Sequence, residues 1–222
     1  MKRKGYLLLL ILRGCFIFAQ TPTPPVKEFK LDSVDMYLKD LVFNKTIPTQ
    51  FERQIRVALA YYPTLKQIKI IFKIKKTRTP LAAAPTFLSA FRRPSNRTYV
   101  ITISSESSIP FLNKILLDSL GFNAQIGVLG HEISHILEFN SKNSLFFVGL
   151  VLRNLSKKSI DKFENDTDRR CIEQGLGYQL LAWSTEVRRN LKIKEWRGAD
   201  NLGEQKRERY MSPPTILGLI NY

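Results

Sequence analysis

Histidine is nearly missing from this chain of 222 residues, which has only two, so any chemistry that needs three imidazoles is excluded. Cysteine is equally scarce. Of Cys15 and Cys171, the first lies in an N-terminal stretch with the marks of a removable segment, and one remaining thiol can form neither an intramolecular disulfide nor a cysteine-based zinc finger. Acidic residues are few, 19 against 35 lysines and arginines, giving a formal charge of +16. Long apolar runs are also absent: the eight residues from Leu145 to Leu152 fall far short of a membrane span and read as a core helix. No internal repeat is present. Length and a 44% hydrophobic content fit one domain with a substantial core.

The first 20 residues stand apart. Lys2, Arg3 and Lys4 precede an apolar run from Tyr6 to Leu12, and after Arg13 a second runs from Cys15 to Ala19, the outline of a signal peptide. Residues 21–27, beginning Thr-Pro-Thr-Pro-Pro, read as a Pro-rich linker, residues 28–209 as the domain, and residues 210–222 as an irregular C-terminal tail. The expectation is export from a bacterial cell; the alternative is a membrane anchor, through an uncleaved signal or a lipidated Cys15 in Leu12-Arg13-Gly14-Cys15. Loss of residues 1–20 removes four basic residues and no acidic one, lowering the formal charge from +16 to +12. Such a surface suits anionic surfaces or polymers. No recognised nucleic-acid-binding module accompanies the charge, so specific nucleic-acid binding is not expected.

Hydrophobic spacing predicts helices over 30–43 and 50–60, then a strand over 67–75, where Ile68, Ile70, Phe72 and Ile74 alternate with Lys69, Lys73 and Lys75. Two further strands are expected over 86–91 and 99–103. Beyond them the pattern turns helical: 110–120, 123–139, 144–155 and a long segment over 159–191, with Gly175 and Gly177 arguing against an unbroken run. The fold class is α+β: a small sheet of three or four strands on a central helix, then a mainly helical C-terminal half.

Both histidines fall in one pentapeptide, His131-Glu132-Ile133-Ser134-His135. Residues four apart on a helix differ by about 40° in azimuth, so both rings reach one metal, and Glu132 is turned aside toward a water beside it. Zinc sites of this kind use three protein ligands and keep one position open. No histidine remains, and Glu138 and Ser141 stand where a third-histidine pattern would need glycine and histidine, so the third ligand is a carboxylate. Two present themselves: Glu138, one turn past His135, and Glu164, after 28 intervening residues, in Glu164-Asn165-Asp166-Thr167-Asp168.

HExxH followed by ExxxD resembles the gluzincin metallopeptidases, in particular the minimal gluzincins and the catalytic cores of the CAAX-processing type, over about residues 65–190. The resemblance implies a zincin-like fold and Zn2+ bound by His131, His135 and Glu164. It also implies Glu132 as general base and Asp168 as the carboxylate that orients a ligand histidine. Helix geometry agrees, since Asp168 lies about 40° from Glu164, whereas Glu173, nine residues on, lies about 180° away. The implied activity is hydrolysis of peptide bonds in a peptide or protein substrate, laid along an edge strand for which 99–103 is the candidate. Tyr178, about 40° from Glu164 if the helix is continuous, is the candidate to steady the oxyanion. Arg169 and Arg170 point elsewhere, and Cys171 reads as a small buried thiol. Two other readings fit the same residues: a latent or non-catalytic zinc protein whose cleft its own C-terminal tail covers, and a basic surface-binding module with structural zinc.

Overall fold

The computed structural model describes residues 25–32, 43–147, 149, 156–194, 196 and 208–221. The expected signal peptide, Cys15, most of the helix over 30–43 and most of that over 144–155 lie outside the described residues.

Four strands form one mixed sheet: β1 (Lys45–Thr46), β2 (Lys69–Thr77), β3 (Leu81–Pro85) and β4 (Thr98–Ser107), in the order β1-β2-β4-β3. β2 and β4 run parallel with Ile70 opposite Tyr99 and Phe72 opposite Ile101. The alternation of β2 works as read, with Ile70 and Phe72 buried and Lys69 and Lys73 exposed, until Ile74, where the strand leaves the core. After β2 the chain crosses the end of β4, pinned where Ser107 Oγ donates to the Arg78 carbonyl at 2.6 Å and Ser104 N to the Pro80 carbonyl at 2.8 Å. It then returns antiparallel as β3, with Ala83 opposite Ile101.

Two expectations about this sheet are corrected. Residues 86–91 are not a strand but a 3-10 turn, Phe87–Ser89, and the strand lies earlier, at Leu81–Pro85. Three alanines carry no strand signal; pairing with β4 makes the strand, a tertiary effect that overrides local propensity. Tyr99–Ile103 is interior, flanked by β2 and β3, so the edge strand on this side of the sheet is β3.

Below the sheet lies α2 (Phe122–Ser141), almost entirely buried, in contact with α1 (Glu52–Ala60), α3 (Lys157–Cys171), α4 (Gly177–Leu191) and β3. At Gly127 a Cβ would stand 2.1 Å from the Gln179 carbonyl oxygen, so only glycine lets α2 and α4 cross this closely. The long helix expected over 159–191 divides at a π-turn, Ile172–Leu176, where Gly175 takes φ 99°, a conformation that favours glycine. Residues 110–120 form 3-10 turns rather than an α-helix. The C-terminal segment is not irregular: α5 (Pro213–Ile220) begins with proline in its first turn and buries Ile216, packing on α4.

Candidate metal centre

Helix α2 presents the pentapeptide from within the core. His131, Glu132 and His135 are 2%, 7% and 6% exposed, so water reaches them only through the cavity above. Buried Tyr62 fixes the helix from behind: its hydroxyl donates to the Gly130 carbonyl at 2.7 Å and lies 2.7 Å from Ser134 Oγ.

Helix α3 brings the carboxylates from the other side. Glu164 Oε2 lies 3.1 Å from His131 Nε2 and 3.3 Å from His135 Nε2, and the ligand atoms of all three residues fall within 4.8 Å of one another. Glu138 is elsewhere, ion-paired with Arg170 Nη2 at 3.2 Å, and Glu173 is exposed. Of the two carboxylates the sequence offered, Glu164 is therefore the one that meets both rings.

The far nitrogens of the rings are both held. His131 Nδ1 donates to Asp168 Oδ1 at 2.7 Å, and Asp168 Oδ2 accepts the Met211 main-chain N–H at 2.7 Å. Thr167 Oγ1 donates to the Phe163 carbonyl at 2.8 Å, so toward His135 Nδ1, 3.2 Å away, it can only accept. Each Nδ1 thus carries a proton, and each Nε2 is the nitrogen that faces the shared locus. This arrangement fixes tautomer and ring orientation as metal-binding histidines require.

Electrostatics describe the same convergence. Burial alone would push His131 down, but Asp168 and Glu164 outweigh it and raise it to about 10. Burial would raise Glu164, yet His135 and His131 hold it well below the ordinary carboxylate range. One positive charge at this point, a proton or a cation, satisfies all three groups. Glu132 goes the other way: burial raises its pKa, against both histidines and the Ala83 main-chain N–H. Burial likewise pushes Cys171 up to about 12, an inert thiol inside α3 as the sequence suggested.

A cavity of about 750 Å³ opens over these groups, walled by β3 and its approach (Arg78 to Ala83) on one side and by Phe163, Trp183, Arg209 and Tyr210 on the other. The register of β3 aims it. Thr86 N donates to the Thr98 carbonyl and Ser104 N to the Pro80 carbonyl, so even-numbered residues bond to β4. The main-chain groups of Leu81 and Ala83 therefore face the free edge.

Tyr178 is not brought to this site. It does not wall the cavity, and its ring lies beneath Lys27 Nζ, 6.0 Å from the centroid. The left-handed conformation of Gly175 kinks the chain between two helices here, which breaks the alignment that a continuous helix would give with Glu164. Tyr210 stands here instead, its ring centroid 5.7 Å from that of His131 and 5.6 Å from that of Trp183. Burial raises its pKa well above 10, and Glu164 and Glu132 add to the effect, keeping the hydroxyl protonated. The segment carrying it is anchored by a buried ion pair, Arg209 Nε to Asp161 Oδ1 at 2.7 Å.

Thr167 and Tyr210 are the residues sequence reasoning missed. Thr167 was within reach, three positions after Glu164 on the same helix face. Tyr210 carried no such signal, being 46 residues beyond Glu164 with no periodicity linking them. The chain matches no protein-family model, no curated protein and no solved structure. What the site can do therefore rests on its geometry: two imidazoles and a carboxylate around one point, a basic carboxylate beside it, and a cavity along a sheet edge.

Proposed function

We propose that this chain is an exported zinc-dependent metallopeptidase of the gluzincin type with a zincin-like fold. The observation that carries the reading is the convergence of His131, His135 and Glu164 beside Glu132, with both Nδ1 atoms held from behind. Two imidazole nitrogens and one carboxylate oxygen are a donor set that suits zinc and leaves a fourth position open. When bound there, zinc polarises a carbonyl and acidifies water.

The remaining steps belong to the chain. The Glu132 carboxylate, made more basic by burial, takes a proton from the attacking water as its oxygen joins the scissile carbonyl carbon. It returns that proton to the amine nitrogen as the carbon–nitrogen bond breaks. The Tyr210 hydroxyl, protonated and walling the same cavity, donates to the oxyanion. Substrate lies extended along β3, pairing with the outward groups of Leu81 and the Ala83 carbonyl, while side chains enter the cavity in alternation. On this reading the substrate strand pairs with β3, since the strand 99–103 is interior.

Metal analysis of the purified chain together with a peptide-library digest tests the proposal. One zinc per chain, lost in His135→Ala, and cleavage abolished by chelation and restored by zinc are the expected results. A chain that holds zinc stoichiometrically yet cleaves nothing would point to the non-catalytic reading instead.

A further inference from the structure

The loop that follows β3 shows an unusual surface. Phe87, Leu88 and Phe91 are 80%, 75% and 61% exposed, on a turn that no apolar layer covers among the described residues. The turn is nonetheless firmly built. Ser89 Oγ donates to the Thr98 carbonyl at 2.9 Å, Ala90 N to the Thr86 carbonyl at 3.0 Å and Arg92 N to the Ser89 carbonyl at 2.9 Å. The segment that follows α2 exposes Leu145 at 76%. One buried guanidinium ties the two together: Arg97 donates through Nε to the Arg92 carbonyl at 3.1 Å and through Nη1 to the carbonyls of Phe139 and Lys142, both at 2.7 Å. The same two loops carry the exposed cations Arg92, Arg93 and Lys142.

Large apolar side chains held out on fixed turns and rimmed by cations are the composition of an interfacial membrane contact. We propose that these two loops dock the protein onto an anionic lipid surface, with Phe87, Leu88, Phe91 and Leu145 entering the acyl boundary and Arg92, Arg93 and Lys142 meeting the headgroups. A charged polymer would engage the cations but has no use for four exposed apolar side chains. The formal charge of +16 supplies long-range attraction to the same surface. Among the described residues no helix is long and apolar enough to cross a membrane, so the contact is one that lies on the surface. The inference is independent of the metal centre, although β3, which walls the cavity, leads directly into the first loop.

Full-length protein is tested by flotation with vesicles of phosphatidylcholine alone or mixed with phosphatidylglycerol. Binding is expected with the anionic vesicles and should weaken with salt. Arg92→Gln with Arg93→Gln should lower partitioning about fivefold per charge, and the triple variant Phe87→Ser, Leu88→Ser, Phe91→Ser at least tenfold with its circular dichroism unchanged. Residues 1–20, with two apolar runs and four basic residues, are present in every variant, so a local readout is added. Native Trp183 and Trp196 are 7% and 5% exposed, hence brominated lipids should quench Phe91→Trp and leave wild type unchanged. Equal quenching of the two proteins, or undiminished flotation of the triple variant, overturns the proposal. So does a wild-type oligomer that the triple variant dissolves in the absence of any vesicle binding, which would make the patch a protein interface.

Discussion

The Met211 main-chain N–H donates to Asp168 Oδ2 at 2.7 Å, while Asp168 Oδ1 holds His131 Nδ1 at the same distance. A backbone group 43 residues away thus orients the carboxylate that orients the histidine, and the C-terminal segment belongs to the centre's framework. Truncation separates this from a covering role. A chain ending at Met211 loses α5, and with it the bonds from Ser212 and Thr215 to Glu208 that fix the segment carrying Tyr210 and Met211; peptide hydrolysis should fall. A rise in activity would restore the latent reading.

Glu132→Gln keeps the volume and removes the base. Cleavage should drop by roughly a hundredfold or more, with zinc content by mass spectrometry unchanged because the three ligands are untouched. Casein-type cleavage persisting in this variant would rule out the assigned role.

Thr167→Val and Asp168→Asn each spare the ligands and disturb what holds them. Zinc affinity, read by competition with a chromophoric chelator, should weaken about 10- to 100-fold. Unaltered affinity in Thr167→Val would mean that His135 is oriented by something other than the hydroxyl 3.2 Å from its Nδ1.

Tyr210→Phe should lower kcat roughly a hundredfold with little change in KM, the mark of a contact made in the transition state. Tyr178→Phe, away from the cavity, should leave both within twofold or so. The reverse pattern would return the oxyanion role to Tyr178.

Glu208 accepts the Ser212 N–H at 3.1 Å and the Thr215 hydroxyl at 2.9 Å at the start of α5. Burial would raise its pKa, but the bonds from Ser212 and Thr215 prevail and lower it. A carboxyl depressed in the folded state contributes stability above its unfolded pKa of about 4.3, lost as pH falls through the lower folded value. Hydrogen exchange of α5 should therefore accelerate on acidification, and Glu208→Gln should blunt that dependence. Identical pH profiles for the two proteins would remove Glu208 from the account.

Local signals carried some of this structure and not the rest. The alternation of Ile70 and Phe72 with lysines marked β2, and the spacing of His131 and His135 marked α2, because period and helix azimuth are properties of the chain itself. β3 was illegible because Ala82, Ala83 and Ala84 have no preference until β4 supplies their partners. The phase between Glu164 and Tyr178 was misjudged because Gly175, read as a weak point, takes a left-handed φ that resets the rotation.

The sequence alone determined the chemistry on offer: two histidines on one helix face, a carboxylate between them, and a carboxylate pair at ExxxD spacing, since covalent spacing along a helix sets azimuth directly. Tertiary structure decided which carboxylate meets the rings, which strand borders the cavity and which tyrosine faces it. Those are relations between elements that no local period encodes, fixed only when burial of α2 against β3, α3 and α4 brings them together.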